Sequence, residues 1–288
     1  MKGYLIYDSQ EALKNQGFIR MFQERGQQVG MDFTYIPLED YRRASARQKP
    51  DVVLNRTRRS CVSRWYEKQQ IPVFHCSRLV ELANDKYQTL KYLENHLPVT
   101  VKSEKWCPKS QLMSAAELEK VFLGQKNLPE SGVIKSLDGH GGREVFLTSQ
   151  DFAALRGRDC LLQERILSES QDLRVYILGG RIYQAVLRRG EHDFRSNYSL
   201  GGSVRPYPLS VQQKEWILQF IQSFPPQWLG MLGMDFILDN RGQLIFNEIE
   251  EMVGCRMLYQ CTSRDIVKDY VVWLKTFVEN TNCNSHGM

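Results

Sequence analysis

The chain has 288 residues, of which 42% are hydrophobic and 25% are charged, a composition typical of a globular protein with two or three domains. No apolar run approaches the roughly 20 residues that span a membrane, and the apolar run at 4–7 is too short for a signal peptide. The seven cysteines include no Cys-x-x-Cys pair, which argues against a zinc site or a disulfide framework and favours a reducing cytoplasm.

The net charge is +5, and the basic excess is concentrated between residues 42 and 64. A nucleic-acid surface, a site for an anionic small molecule or acidic peptide, and a solvated basic face are three interpretations. Because no aromatic residues alternate with the basic ones and no known nucleic-acid module is present, we expect no nucleic-acid partner. The arginines of this segment are Arg42, Arg43, Arg47, Arg56, Arg58, Arg59 and Arg64.

Residues 1–80 alternate between predicted strands and predicted helices. This alternation predicts a parallel sheet with helices on both faces. No Gly-x-Gly-x-x-Gly sequence follows the first strand, so the segment lacks the fingerprint of a dinucleotide-binding domain. Strands are predicted at 3–7, 33–36, 51–54 and 71–74, and helices at 11–25 and 62–69.

A further helix is predicted from Ser77 to Glu94, because apolar residues recur there at helical spacing. The sequence Asn84-Asp85-Lys86 falls inside it and places Lys86 near its middle. A lone lysine on a helix is usually solvated, so Lys86 indicates no function by itself.

A second, smaller unit is predicted from about residue 100 to 162, with a helix that begins at the capping box of Ser114. Residues 132–147 predict a strand, a glycine-rich loop and a second strand. Gly139, Gly141 and Gly142 allow backbone N–H groups to surround an anion, and Lys135 supplies a positive charge before the loop. A plain hairpin turn uses the same residues and is the alternative interpretation.

The next segments are a strand at 160–166 and a hairpin of strands 172–178 and 181–188, joined by the favoured two-residue turn Gly179-Gly180. Three charged residues, Asp172, Arg174 and Arg188, interrupt these otherwise apolar strands. The rest of the chain is predicted to contain a polar loop at 195–202, a helix at 211–223 and a closing helix from Thr262. Between these two helices lies an acidic hairpin.

An acidic hairpin is predicted from strands 234–238 and 244–249, which are joined by a turn at 239–242. This register places Asp235 opposite Phe246, so that Asp235, Phe246, Glu248 and Glu250 share one face. Three carboxylates at this range form a plausible oxygen site for a hard cation such as magnesium. A solvated edge hairpin is the alternative, since isolated acids are normally exposed.

Together these motifs resemble the ATP-grasp superfamily and, within it, the RimK-type amino-acid (glutamate) ligases. The resemblance covers nearly the whole chain and rests on the order of the motifs, each of which is weak alone. The motifs are Asn84-Asp-Lys86 with Thr89-Leu90, Lys135 with the loop at 139–142, Gln163-Glu164, Asp172-Leu-Arg174, Arg195-Ser-Asn197 with Gly201-Gly202, Gly233-Met-Asp235, and Glu248-Ile-Glu250.

The resemblance implies a mixed α/β and α+β fold of three parts. These are an N-terminal parallel-sheet domain at 1–97, a central ATP-grasp lid at 98–165 and a C-terminal antiparallel-sheet domain at 166–288. Nucleotide would lie between the lid and the C-terminal sheet.

The resemblance also implies roles for individual residues. Arg174, Arg188 and Asn197 are candidates for the catalytic step, and Asp235, Glu248 and Glu250 for holding two magnesium ions, with manganese as an alternative ion. The implied nucleotide-binding residues are Lys86, Lys135, Gly139, Gly141, Gly142, Gln163, Glu164, Arg165, Ile166, Asp172, Arg195, Ser196 and Asn197.

The implied activity is an ATP-dependent, ADP-forming carboxylate–amine ligase that forms an amide or peptide bond through an acyl phosphate. One substrate would be an amino acid. The expected partners include an acidic amino acid, or a peptide or protein terminus, as a substrate. A homo-oligomer is also expected as a possibility. Arg56, Arg58 and Arg59 follow a predicted strand at the edge where α/β sheets bind ligands, so we expect them to favour an acidic substrate.

Two departures from the RimK-type pattern keep a second interpretation open. Glu250 stands where the pattern has asparagine, and the Glu251-Met-Val-Gly-Cys-Arg256 segment lacks the usual Ser-Pro-Gly. A non-catalytic ATP-binding relative with a regulatory or scaffolding role is therefore the alternative function.

Overall fold

The computed structural model describes residues 1–190 and 202–285, with side chains as far as residue 281. The described residues form three β-sheets, one after another along the chain. One of the three sheets lies in each of the domains predicted from the sequence, while the boundaries between the domains remain a prediction.

The N-terminal sheet is parallel, as predicted, with the strand order β2-β1-β3-β4. Its strands are β1 (Lys2–Tyr7), β2 (Asp32–Pro37), β3 (Val52–Asn55) and β4 (Val73–Phe74). The connecting helices are α1 (Ser9–Lys14), α2 (Gln16–Gln28), α3 (Tyr41–Arg47) and α4 (Ser60–Glu67). The single helix predicted at 11–25 is therefore two helices that meet at Asn15.

The prediction of one helix from Ser77 to Glu94 is also wrong in one respect. The segment forms two helices, α5 (Ser77–Ala83) and α6 (Lys86–His96). The Asp85 side chain accepts a hydrogen bond from the backbone N–H of Gln88 at 3.0 Å and so caps a new helix. Apolar spacing continues through the break and hides it in the sequence. Lys86 consequently lies at the first turn of α6 rather than in the middle of a helix.

The lid is an antiparallel four-stranded sheet with the order β5-β8-β6-β7. Its strands are β5 (Ser110–Met113), β6 (Gly132–Ser136), β7 (Val145–Leu147) and β8 (Cys160–Glu164). The short α7 (Val99–Lys102) precedes it, and α8 (Ala115–Phe122) begins at the predicted capping box of Ser114 and Glu117. The glycine-rich loop joins β6 to β7, as the sequence predicts.

The C-terminal sheet is antiparallel, with the order β11-β10-β9-β12-β13. Its strands are β9 (Gln171–Leu178), β10 (Arg181–Arg189), β11 (Ser203–Pro206), β12 (Met231–Leu238) and β13 (Leu244–Glu250). Three helices follow or connect them: α9 (Val211–Gln222), α10 (Arg256–Cys261) and α11 (Ile266–Ser285). The predicted turn Gly179-Gly180 is confirmed, and both glycines adopt the positive φ that such a turn requires.

Helix α11 returns to the beginning of the chain and packs on the N-terminal sheet. Its buried residues share one apolar cluster with side chains of β1, α2 and β3. The rings of Phe22 and Tyr270, for example, meet edge to face at 6.1 Å. The first and last parts of the described chain thus form one core.

No helix within the described ranges is both long and apolar enough to cross a membrane.

Candidate active site

Two adjoining cavities lie between the lid and the C-terminal sheet. The first, which we call the lid cavity, has a volume of 120 Å³ and combines two buried lysines, the glycine-rich loop and the end of β8. Among its lining residues are Lys86, Lys135, Gly139, Gly141, Gly142, Gln163, Glu164, Arg165, Ile166, Asp172, Arg188, Asn247 and Glu248. The structure therefore brings together most of the residues that the resemblance assigned to nucleotide.

The second cavity, which we call the hairpin cavity, has a volume of 190 Å³ and lies beside the acidic hairpin. Gly141, Arg188 and Glu248 line both cavities. A molecule in one cavity can thus meet a molecule in the other at these three residues. The remaining lining residues of the hairpin cavity are Ala83, His140, Arg174, Ile249, Glu250, Gly254, Arg256 and Met257.

The acidic hairpin differs in register from the prediction. Asp235 lies opposite Glu248, not Phe246, because the pairing shifts between Asp235 and Phe236. The shift leaves Asn247 as an extra residue in β13, which is a β-bulge. Phe246 consequently turns to the opposite face, where its ring stacks on Phe220 at 5.4 Å. The three acids still share one face, as predicted.

Asp235 is fully buried and anchors two arginines of the neighbouring hairpin. Its carboxylate accepts two hydrogen bonds from Arg174, at 2.8 and 2.7 Å, and a third from Arg188 at 2.7 Å. Arg188 also donates two hydrogen bonds to Asp172, at 2.5 and 2.6 Å. Burial opposes ionisation of Asp235, but the two guanidinium groups outweigh it and hold the pKa of Asp235 at about 2.

The other two acids have fewer partners. An Oε atom of Glu250 lies 2.5 Å from Arg174, yet burial keeps the pKa of Glu250 above its ordinary value. Glu248 is 3.6 Å from Lys86 and its side chain is 26% exposed. In the part of the chain that the structure describes, no three His, Cys, Asp or Glu side chains are grouped to hold a metal ion. The magnesium assignment stays a prediction.

Two lysines line the lid cavity. The Lys135 ammonium donates a hydrogen bond to the Asn247 side chain at 3.0 Å, and burial lowers the pKa of Lys135 to about 8. The Lys86 ammonium donates to the carbonyl oxygen of Gly139 at 2.6 Å. The break before α6 is what aims Lys86 at the glycine-rich loop.

The end of β8 forms another wall of the lid cavity. The Gln163 side chain donates to Ser110 at 2.7 Å, and the Glu164 carboxylate accepts from the backbone of Lys109 at 2.8 Å. These bonds hold the side chains of Gln163 and Glu164 against residues 109 and 110, and residues 163–166 line the cavity there. Sequence reasoning missed the apolar wall residues Pro108, Val133, Val145 and Ile237.

Three further residues of the site were missed. Asn247 is displaced into the lid cavity by the bulge, His140 lies within the glycine-rich loop, and Arg256 begins α10. Burial first, and then the charge of Arg58, lower the pKa of His140 to about 4. Since each was an ordinary polar residue next to a stronger motif, the sequence contained no separate signal for it.

Some predicted residues lie elsewhere. Arg195, Ser196 and Asn197 fall outside the described residues. Arg58 and Arg59 are exposed after the end of β3, whereas Arg56 is buried; none of the three lines either cavity.

The chain is similar in sequence or in fold to three known proteins. An uncharacterized protein of Mycoplasma genitalium, MG011, is 26% identical over 279 residues, covering 93% of this chain and 90% of its own. A probable alpha-L-glutamate ligase of Haemophilus ducreyi is 25% identical over 225 residues, covering 73% and 69% respectively. The ATP-grasp ligase PsnB, solved with Mg, ADP and a variant of its minimal precursor, has a TM-score of 0.65 at 15% identity, covering 96% and 98%.

The family model of the RimK-like ATP-grasp domain matches residues 83–274, more than half of the chain. This span includes the lid, the C-terminal sheet and every residue that lines both cavities. The solved structure shows the same fold over nearly all of this chain. The chain belongs to the RimK-like ATP-grasp family.

Proposed function

We propose that the protein is an ATP-dependent, ADP-forming ligase that joins a carboxylate to an amine through an acyl phosphate. The observation that carries this proposal is the contact between the two cavities at Gly141, Arg188 and Glu248. A phosphoryl group bound in the lid cavity and a carboxylate bound in the hairpin cavity would meet there. The relatives named as glutamate ligases support the same reaction class.

The lining of the lid cavity suits ATP, because it combines a cationic part for the phosphates with an apolar part for the adenine ring. Lys86, Lys135 and the glycine-rich loop form its cationic, N–H-rich end, which suits the phosphates. The backbone of 163–166 and the apolar side chains of Val133 and Ile237 form the other part, which suits the adenine ring.

Magnesium fits the acids of the hairpin, because carboxylate oxygens are its preferred ligands. Glu248 and Glu250 would hold it, since three of about four lone-pair positions on Asp235 already accept hydrogen bonds from arginine. When bound, the metal offsets the repulsion between the attacking carboxylate and the phosphates. We propose two magnesium ions at these acids, with manganese as an alternative to magnesium.

The reaction places a different demand on each residue. A carboxylate oxygen attacks the γ-phosphorus and ADP leaves; the amine then attacks the acyl carbon, loses a proton, and phosphate leaves. Arg188, at the contact between the cavities, would stabilise the transferred phosphoryl group, and Arg174 the acyl end. By the family resemblance, Arg195 to Asn197 would line the phosphate and the acyl end; they lie outside the described residues.

The hairpin cavity favours an acidic substrate. Arg256 is exposed and lines this cavity, so it presents a positive charge to an anion bound there. The charge of Arg58 reaches the same region, as its effect on the pKa of His140 shows. An acidic amino acid, or an acidic peptide or protein terminus, matches this surplus of positive charge.

The test is release of ADP from ATP and magnesium in the presence of pooled amino acids. We expect release that depends on the pool and is lost in Glu248→Ala, because this change removes a carboxylate shared by both cavities. If ATP binds by calorimetry and no pool or acidic peptide stimulates release, the non-catalytic relative is the better description. If ATP does not bind, the proposal fails.

The pKa of Lys135 predicts how nucleotide affinity depends on pH. Folding lowers this pKa from the ordinary lysine value to about 8, so the free protein loses the charge of Lys135 as pH rises through 8. Affinity for the ATP analogue AMP-PNP should then fall by up to about tenfold per pH unit above pH 8. Calorimetry from pH 7 to 9.5 measures this. Lys135→Arg, which stays charged, should flatten the profile, and an equally steep profile in that variant would contradict the assignment.

A further inference from the structure

Arg56 is a buried cation at the end of β3, and only 8% of it is exposed. It has no ion pair with any carboxylate among the residues that the structure describes. Its guanidinium lies 5.0 Å from the centre of the Phe18 ring and 5.9 Å from that of Tyr7, and it donates to the Tyr7 hydroxyl at 3.2 Å. Burying a charge without a carboxylate is costly, so a purely packing role would be better filled by an apolar residue.

A hydrogen bond from Arg56 to a distant loop points to its role. Its Nη2 atom donates a hydrogen bond to the carbonyl oxygen of Met252 at 3.2 Å. Met252 belongs to the connecting loop, by which we mean residues 251–255 between β13 and α10. This loop leads from Glu250 directly to Arg256, two residues that line the hairpin cavity.

Side chains from three parts of the fold hold the connecting loop. Asn84, between α5 and α6, donates to the Glu251 carboxylate at 2.6 Å, and Arg56 holds the next residue. Tyr176 of β9 donates to the carbonyl oxygen of Gly254 at 2.9 Å. The loop lies outside any strand or helix, so these side-chain bonds, together with the burial of Val253 and Cys255 in the apolar core, hold its course.

We infer that Arg56 is a positioning residue for the hairpin cavity: it fixes the connecting loop and, through it, Glu250 and Arg256. The inference depends on the proposed function in one point, namely that a substrate binds in the hairpin cavity. No residue of 249–257 lines the lid cavity. Arg56 therefore acts from the N-terminal sheet on the hairpin cavity, including the proposed magnesium ligand Glu250, rather than on the lysines and the glycine-rich loop of the lid cavity.

The test compares Arg56→Met with the wild type in three measurements. Methionine fills a similar space and donates no hydrogen bond, so hydrogen exchange in 251–257 should become about tenfold faster or more. Amino-acid-dependent ADP release should fall through a higher KM for the amino acid. Affinity for AMP-PNP should stay within about twofold when it is measured without magnesium, since Glu250 is a proposed magnesium ligand. Arg47→Met, at an exposed arginine of α3, is the matched control and should change none of these.

Two results would overturn the inference. One is unchanged exchange in 251–257; the other is faster exchange throughout β1–β4 with weaker AMP-PNP binding, which would make Arg56 a core residue only. If Arg56→Met does not fold, Arg56→Lys keeps the charge over the Phe18 ring and should show the same local effect at 251–257 with a smaller size. A wild type that fails to bind AMP-PNP would refute the proposed function, while the exchange comparison would still decide the role of Arg56.

Discussion

Replacing Arg188 with lysine should lower amino-acid-dependent ADP release by about 10²–10³-fold, the usual effect of removing one group that stabilises charge in a transition state. Arg188 lines both cavities and bridges Asp172 and Asp235 with a planar fork of N–H groups. Lysine keeps the charge but cannot reproduce that fork, so the charge is no longer held at the contact between the cavities. Turnover is measured with the amino-acid pool that stimulates the wild type.

The matched control is Arg189→Lys, because Arg189 is the next residue on β10 and is exposed. It should keep wild-type turnover. The melting temperature of Arg188→Lys should be recorded alongside, so that loss of fold is separated from loss of activity. A folded Arg188→Lys variant with turnover close to that of the wild type would remove Arg188 from the proposed mechanism.

Replacing Asp235 with alanine should destabilise the protein by about 3–5 kcal/mol, as breaking a buried ion pair commonly does. The change removes the partner of three arginine hydrogen bonds and leaves Arg174 with Glu250 alone. A loss of this size corresponds to a fall of roughly 6–10 °C in melting temperature for a chain of this length. Thermal unfolding followed by circular dichroism measures it.

Asp138→Ala is the control for Asp235→Ala, since Asp138 pairs with Arg158 but its side chain is 66% exposed. Surface pairs contribute about 0–1 kcal/mol, so its melting temperature should hardly change. A loss in Asp235→Ala as small as that expected for Asp138→Ala would show that the buried network does not depend on Asp235. The pKa of Asp235, held at about 2, also predicts that this stabilisation persists down to pH 4 and is lost as pH falls further through 2.

Features with a local chemical cause could be predicted from the sequence. The glycine-rich loop between β6 and β7 and the turn at Gly179-Gly180 follow from residues that favour those conformations. The shared face of Asp235, Glu248 and Glu250 was also correct, although the register behind it was wrong.

Features decided by packing between distant segments could not be predicted. The bulge at Asn247 exists because Phe246 packs on Phe220 and Phe236 while Glu248 faces the cavities, and no local signal favours one register over the other. Asp235 forms ion pairs with arginines, whereas the sequence predicted that it would share a metal ion with the other acids of the hairpin. This pairing depends on β9 lying beside β12. Only the folded sheet brings these residues together.

The packing of α11 on the N-terminal sheet has a consequence for synthesis of the protein. Domains commonly fold in order as they leave the ribosome. Here the core around β1, α2 and β3 includes Val267, Tyr270 and Leu274. Strands β1 and β3 and helix α2 therefore emerge well before α11, and their apolar face is not covered until α11 is made. A nascent chain that stops before Ile266 would expose that face to chaperones and to other chains.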